Sequence, residues 1–341
     1  MPPQHTIQTI QITATADTAD IARFCTVPDG TPLDPSALAA TGADEHWLLA
    51  DATGTLARCS LWWTATPTYQ QHRVGLIGHF AADDTLAGAL LRHACDRLRQ
   101  AGCTIAIGPM DGNTYTRYRL VTDPGTEPPF FLEPTNPASW PAHFTSNGFA
   151  PLSEYYSAAQ DNIEATDPRL PEIERQMQAA GVRVRPLDAA AFERDLRSVY
   201  PVVSVGFAGS LLASPIDEEA FVAQYRPLES LLVPELVQIA ETNERAIGFF
   251  LVVPDWLQAQ RGELIDTGIA KTTAVLPEYQ RQGLGILLAA RAIAAGRALG
   301  YTRAIHALIR EDNVSRRLSD VYHGRVIRRY TLYAKELEGR P

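Results

Sequence analysis

The order of predicted strands and helices repeats along this chain, and that repeat is what most constrains the fold. The first copy comprises three strands (46–51, 55–66, 73–81), a helix (83–102), a strand (104–110), a short helix (138–149) and a closing strand (150–160). The second half repeats the same core order of strand, strand, strand, helix, strand, helix, strand. We therefore predict two copies of one α/β (α+β) domain, at residues 1–165 and 178–341. The polar, proline-containing segment near 160–178 is the predicted boundary.

Composition fits two globular domains and excludes several other classes. The chain has 341 residues, of which 45% are hydrophobic and 20% charged. No uncharged apolar run reaches the roughly 18 residues of a membrane span, and the start lacks a signal-peptide pattern, so we expect a cytoplasmic protein. The four cysteines, Cys25, Cys59, Cys95 and Cys103, form no CxxC pair, so we predict reduced, buried thiols and no metal site.

Charge is distributed unevenly. The net charge of −9 argues against nucleic-acid binding, yet residues 271–341 carry 13 Lys or Arg and 6 Asp or Glu, a balance of +7. This local excess indicates an anionic ligand at the C-terminal end. The rest of the chain, residues 1–270, therefore carries a net charge of −16. This negative charge favours, more weakly, a cationic acceptor such as a polyamine-like or amino-sugar compound.

A glycine pair, in the stretch QRQGLG at 280–285, lies between a predicted strand and a long Ala- and Leu-rich helix. The first N–H groups of a helix lack intrahelical acceptors, and glycine permits close approach, so this turn could bind a pyrophosphate. A nucleotide-hydrolase loop would need Lys and Ser or Thr where Ile286 and Leu287 stand. A dinucleotide fingerprint would need glycine in place of Leu288. A purely structural turn remains the alternative.

This Q-x-x-G-x-G pattern, preceded by Val275 and Pro277 of a V-x-P strand end, resembles the acyl-CoA motif of the GCN5-related N-acetyltransferase (GNAT) family. The resemblance covers about residues 180–338. It implies two tandem GNAT folds, each a mixed, mostly antiparallel sheet flanked by helices. The first half resembles the family only in element order, and Asp83 and Asp84 stand where a pyrophosphate would bind. We therefore expect a degenerate first half that contributes to the acceptor pocket.

The resemblance also implies which residues bind acetyl-CoA, the expected co-substrate. Main-chain groups of the strand end would contact the pantetheine arm, and the glycine turn would hold the pyrophosphate. Asn313 would contact the cofactor arm or simply cap a helix. The implied cofactor-binding residues are Thr273, Ala274, Val275, Gln280, Arg281, Gln282, Gly283, Leu284, Gly285, Ile286 and Asn313.

The family's usual acid and base are missing at their expected positions. Asp320 stands where the family often has a tyrosine, and Tyr322, two residues on, is the candidate acid; Asp320 could instead bind the acceptor. Ile269 stands at the usual glutamate position, and strand alternation is expected to place Ile269, Lys271 and Thr273 on one face, without a carboxylate. The candidate bases elsewhere are Asp266, His306 and Glu311, of which His306 is preferred for its ordinary pKa.

The acceptor pocket is predicted from a polar and aromatic loop. Asp111, Asn113, Tyr115 and Tyr118 are its candidate substrate-binding residues, although the aromatic residues could instead pack the halves together. The expected activity is N-acetyl transfer to an amine of a small molecule or peptide, in a ternary complex, by a monomer or homodimer. The alternatives are a non-catalytic acyl-CoA-binding or regulatory protein, and an acyl or aminoacyl transferase with another donor.

Overall fold

The computed structural model describes residues 7–13, 17–28, 30–52, 54, 56–164, 166–312 and 324–337, and these form thirteen strands and eight α-helices. The strands are β1 (Gln8–Ile12), β2 (Glu45–Ala50), β3 (Leu56–Trp62), β4 (Val74–Ala81), β5 (Ile105–Gly108), β6 (Leu120–Asp123), β7 (Ala150–Gln160), β8 (Arg183–Pro186), β9 (Val237–Thr242), β10 (Arg245–Pro254), β11 (Thr267–Val275), β12 (Arg303–Arg310) and β13 (Arg325–Glu336). The helices are α1 (Thr18–Cys25), α2 (Ala87–Gln100), α3 (Trp140–Ser146), α4 (Leu170–Ala179), α5 (Phe192–Phe207), α6 (Glu218–Tyr225), α7 (Trp256–Gln260) and α8 (Leu284–Ala298).

Hydrophobic periodicity predicted the main elements of both halves. In α2, Leu90, Leu91, Ala94 and Leu98 recur at helical spacing, and all four are fully buried. The segment predicted as a polar boundary contains α4, which begins with Pro171 in its first turn, where proline is tolerated. The helix expected after residue 312 lies outside the described residues.

All thirteen strands join one sheet, and the two halves exchange their last strands. The strand order is β1-β2-β3-β4-β5-β13-β7-β12-β11-β10-β9-β8, with β6 paired to β13 outside this path. Thus β7, from the first half, pairs with β12 of the second, and β13, from the second half, pairs with β5 of the first. The two exchanged strands also pair with each other, antiparallel, and Ser157 hydrogen-bonds Tyr330 at 3.0 Å between them.

Each half has its own apolar core. In the second half α5 and α8 cover β9, β10 and β11, and in the first half α2 covers β3. The four cysteines are buried and free, as predicted. Within the described residues, no helix has both the length and the apolar character needed to cross a membrane.

Candidate active site

A large cavity opens where β11 and β12 separate. The two strands pair in parallel only between Thr267–Ala270 of β11 and Arg303–His306 of β12. Beyond this point β11 continues to Val275 and β12 to Arg310 without pairing to each other. The cavity that begins here has a volume of about 990 Å³ and is lined by both halves of the chain. Lys271, Thr272 and Thr273 thus line the cavity, and the main-chain edge of β11 from residue 271 to 275 is not paired to β12.

A β-bulge at Lys271 marks the point of separation. Leu251 of β10 is opposite Thr272, whereas the next residue, Val252, is opposite Ala270, so Lys271 has no partner in the register. Because Leu251 and Val252 point to opposite faces, the faces of β11 are reversed across the bulge. The expectation that Ile269, Lys271 and Thr273 share a face is therefore wrong: Ile269 is fully buried in the core, while Lys271 and Thr273 line the cavity.

The opposite wall of the cavity is shaped by an irregularity in β12. Its register with β7 shifts between His306 and Ile309, and Leu308 has a positive φ of 60°. The Leu308 N–H donates to Ser157 Oγ at 3.0 Å, and its carbonyl accepts from Arg119 at 3.3 Å. Side chains of the first half therefore satisfy the groups that the irregularity frees, and they help to hold β12 away from β11.

The glycine turn lies directly after β11 and opens α8. Gly283 is the N-cap, in the left-handed conformation with φ 88°, and no side chain caps the helix. A Cβ at Gly283 would lie 2.7 Å from Ile173 of α4, whereas a Cβ at Gly285 would meet no heavy atom within 4 Å. Gly283 is thus required by the backbone and its packing. The space at Gly285 leaves the first N–H groups of α8 accessible to an anion.

We expect Gly283→Ala to lower the free energy of unfolding by about 2 kcal/mol or more, because it combines an unfavourable φ with a steric overlap. Gly285→Ala is the matched control and should be neutral or slightly stabilising, since alanine favours the helix. Urea denaturation of both variants measures the difference. Equal stability of the two would show that Ile173 and the backbone adjust freely.

The predicted cofactor-binding residues that the structure describes lie at the end of β11 and in the glycine turn that opens α8. Gln280 donates its amide to the Val275 carbonyl at 3.0 Å, and Gln282 donates to the Glu278 carbonyl at 2.7 Å. These two amides therefore hold the turn in shape, while Arg281 is exposed at its tip with a φ of 62°. Thr273, Ala274 and Val275 form the adjoining end of β11. Asn313 lies outside the described residues.

The equivalent opening in the first half is closed. There β4 and β5 pair in parallel over Val74–Leu76 and Ile105–Ile107, and then the chain folds back into the gap. Met110 N–H donates to the Ile77 carbonyl at 2.9 Å, and a Cβ at Gly78 would lie 2.3 Å from the Met110 carbonyl oxygen. The gap between β4 and β5 is therefore filled by the protein's own main chain.

The start of α2 is also occupied. The Asp83 carboxylate accepts the N–H groups of Thr85 and Leu86, both at 3.0 Å. Asp84 contacts His143 at 2.7 Å. A carboxylate here satisfies the N–H groups that a phosphate would use and repels a second anion. Both features support the expectation of a degenerate first half.

The four predicted substrate-binding residues separate into two pairs. Tyr115 and Tyr118 line the cavity. Asp111 instead accepts the His79 N–H at 2.5 Å within the closed gap of the first half, and burial raises its pKa to about 6. Asn113 accepts the Tyr115 N–H at 2.8 Å and so shapes the loop. Neither Asp111 nor Asn113 is among the residues lining the cavity.

Of the predicted catalytic residues, the structure describes His306. It is the last residue of β12 that pairs with β11, and it lines the cavity. Burial lowers its pKa to about 4, so its imidazole is neutral near pH 7. Tyr322 and Asp320 lie outside the described residues. The other candidate bases are engaged: Asp266 bonds Gln258 and Thr302, and Glu311 pairs with Arg329.

Sequence reasoning missed an ionic network beside the cavity. Glu133 forms a buried ion pair with Arg328 and accepts a hydrogen bond from Tyr330. Glu133 is among the residues that line the cavity, as is Arg119. Since Glu133 and Arg328 are far apart in sequence, no local pattern could have identified the pair.

Comparison with known proteins places this site in a family. The family model described as the Acetyltransferase (GNAT) family matches residues 206–318, which include β11, the glycine turn, α8 and β12. No curated protein sequence matches the chain significantly.

Several solved structures share the fold over 98% of this chain. A GCN5-related N-acetyltransferase from Sphaerobacter thermophilus is 16% identical with a TM-score of 0.51 and is covered over 96% of its length. A tandem GNAT protein from the clavulanic acid biosynthesis pathway is 11% identical with a TM-score of 0.53 and is covered completely. A glucosamine N-acetyltransferase region of a fungal multi-domain β-N-acetylglucosaminidase is 14% identical with a TM-score of 0.54, and this chain spans 38% of that structure.

At sequence identities of 11–16%, these similarities are evidence for the fold alone. They confirm the predicted fold class, a mixed and mostly antiparallel sheet flanked by helices in the tandem GNAT arrangement. The sequence-level match is confined to the half whose strands separate around an open cavity. The chain thus has the tandem GNAT fold, and residues 206–318 of its second half match the acetyltransferase (GNAT) family model.

Proposed function

We propose that this protein transfers an acetyl group from acetyl-CoA to an amine of a small molecule or peptide. The observation that carries the proposal is the contrast between the two halves. Only in the second half does the described chain combine separated parallel strands, an uncapped helix start and a glycine turn with open space. In the first half Met110 and Asp111 fill the gap, and the Asp83 carboxylate accepts the N–H groups of Thr85 and Leu86 just before α2.

The residues present fit an acyl-CoA. The first N–H groups of α8 would receive the pyrophosphate, helped by the helix dipole. The free edge of β11, from Thr273 to Val275, would offer main-chain groups to the pantetheine arm. These positions lead from the glycine turn to the point where β11 and β12 separate, beside Lys271 and His306.

Transfer would be direct. The neutral amine attacks the thioester carbonyl carbon, the C–S bond breaks, the amine loses one proton and the CoA sulfur takes one up. No cysteine follows Cys103, so the second half has no thiol that could carry the acyl group. Holding the amine in line with the thioester supplies much of the acceleration. Burial removes the ordinary pKa for which His306 was preferred and makes it a weaker base, so positioning has the larger part in this proposal; His306 is the proposed proton acceptor and Tyr322 the proposed acid.

Calorimetric titration with acetyl-CoA tests the cofactor site, and we expect one binding site per chain. Release of CoA thiol in the presence of pooled amines then tests catalysis. A stoichiometry of two would contradict the closed first half. Binding without turnover of any amine would favour the non-catalytic alternative, and binding of a different acyl-CoA in preference to acetyl-CoA would favour another donor.

A further inference from the structure

The cavity has more cationic than anionic side chains. The charged residues that line it are Arg117, Arg119, Lys271, Arg310 and Glu133. Arg310 is paired with Asp312. In contrast, no carboxylate of the described residues lies within 4.0 Å of Arg119 or Lys271. Among the described residues, these two cations thus line an open volume without a salt-bridge partner.

Glu133, the one carboxylate of the cavity wall, does not neutralise these cations. It forms an ion pair with Arg328, and both side chains are almost completely buried, at 2% and 4% exposed. The Tyr330 hydroxyl and the Phe130 N–H also donate to it. Its charge is therefore already compensated by groups behind the wall.

Arg119 packs against two tyrosine rings at the cavity wall. The central carbon of the group lies 3.8 Å from the ring centre of Tyr118 and 4.1 Å from that of Tyr155. One N–H donates to the Leu308 carbonyl at 3.3 Å. The two ring centres are 6.0 Å apart and the ring planes differ by 82°, so the rings pack against the guanidinium from two directions and fix its position. A planar carboxylate accepts two guanidinium N–H bonds side by side.

Lys271 adds a second charge at the bulge. Its ammonium group donates to the Leu132 carbonyl at 3.1 Å, which uses one of its three N–H bonds. Burial, followed by the positive charge of Arg119, lowers the pKa of Lys271 to about 8, while Glu133 acts in the opposite direction. An anion bound near both cations would relieve this unfavourable electrostatic interaction.

We propose that the acceptor is an amine that also carries a carboxylate, and that Arg119 and Lys271 bind this carboxylate. The proposal rests on the proposed acetyl transfer and specifies its substrate class. It reverses the expectation of a cationic acceptor drawn from overall charge, because ligand selection depends on the charges inside the cavity. Among the described residues that line the cavity, only Glu133 is acidic, so the other described acidic residues behind the net charge of the chain lie outside it.

The experiment measures CoA release from acetyl-CoA with four pools of primary amines. One pool contains amino acids, the second their carboxamides, the third amines bearing a phosphate and the fourth polyamines. We expect turnover to be concentrated in the amino-acid pool. For the best amino acid, replacing the carboxylate by the carboxamide should lower kcat/KM by about 10- to 100-fold, the effect of a lost charged hydrogen bond.

Lys271→Gln is the informative variant, and Lys335→Gln is its matched control. Lys335 also lies on a strand and donates to a main-chain carbonyl, that of Asn147 at 2.8 Å, but it is not among the cavity-lining residues. We expect Lys271→Gln to lower kcat/KM about 10-fold or more for the amino acid and little for its carboxamide. Lys335→Gln should change neither, and acetyl-CoA affinity should persist in both.

Several outcomes would overturn the proposal. One is that the protein turns over carboxamides, amines bearing a phosphate, or polyamines faster than amino acids. Another is that it binds acetyl-CoA but turns over no amino acid. An equal loss for both substrates in Lys271→Gln would place this lysine in the chemistry instead. A loss of acetyl-CoA affinity in that variant would assign the cations to the cofactor. Absence of acetyl-CoA binding by the unaltered protein would instead refute the proposed function itself.

Discussion

Replacing Gly285 with aspartate is expected to remove acetyl-CoA binding and leave the fold intact. A Cβ at this position would meet no heavy atom within 4 Å beyond its own helix turn, so we expect the substitution to fit without displacing its surroundings. The new carboxylate would lie in the first turn of α8, where it would repel the pyrophosphate. With about 4 kcal/mol for two unit charges at 4 Å near a protein surface, a loss of about 100-fold or more in affinity follows.

The same substitution should act on stability in the opposite direction. A negative charge in the first turn of a helix interacts favourably with the helix dipole, by about 0.3–1 kcal/mol. The urea midpoint of Gly285→Asp should therefore equal or exceed that of the unaltered protein. Gly285→Asn, of nearly the same shape without the charge, is the control and should retain most of the affinity. Unchanged affinity of a folded Gly285→Asp protein would refute the pyrophosphate assignment.

The second large effect concerns the exchanged strands. We expect neither residues 1–165 nor residues 178–341 to fold alone. Without β13, the first fragment exposes the edge of β5, and β7 loses both of its neighbours, β12 and β13. Without β7, the second fragment separates β13 from the rest of its sheet and exposes β12. Unpaired strand edges with apolar faces aggregate readily.

In the control the chain is divided once, into residues 1–165 and 166–341, so that the co-expressed pair keeps every strand and the whole of α4. We expect the co-expressed pair to associate, to show one cooperative urea transition and to bind acetyl-CoA. Circular dichroism and denaturation of each fragment alone should show no such transition. Cooperative unfolding of either fragment by itself would contradict this prediction. It would mean that the last strand of the fragment can pair within its own half, so that folding does not need the exchange.

Local sequence patterns were sufficient to predict most of the strands and helices and the position of the glycine turn. The burial of Leu90, Leu91 and Leu98 follows from their spacing, since a helix places such residues on one face. The glycine pair between strand and helix predicted a turn at the start of α8, and Gly283 does adopt a conformation that favours glycine. The acidic residues at the start of α2 likewise predicted that the first half lacks an anion site.

The acceptor side of the cavity could not be predicted in the same way. Lys271 points into the cavity because of a bulge, and bulges have no reliable sequence signal. Arg119 matters because it stacks on Tyr118, its neighbour in sequence, and on Tyr155, which only tertiary folding brings near. Asp111 looked equally suitable in sequence, yet it closes the gap in the other half.

Residues a few positions apart were therefore enough to predict most of the strands and helices and the glycine turn that opens α8, because each of these depends on local spacing. Tertiary contacts set the exchange of β7 and β13, keep one pair of parallel strands open while the other is filled, and bring Arg119 and Lys271, which have no salt-bridge partner among the described residues, to the open cavity. These features depend on contacts between residues far apart in the chain, such as Glu133 with Arg328 and Ser157 with Leu308, and such contacts leave no periodic pattern in the sequence.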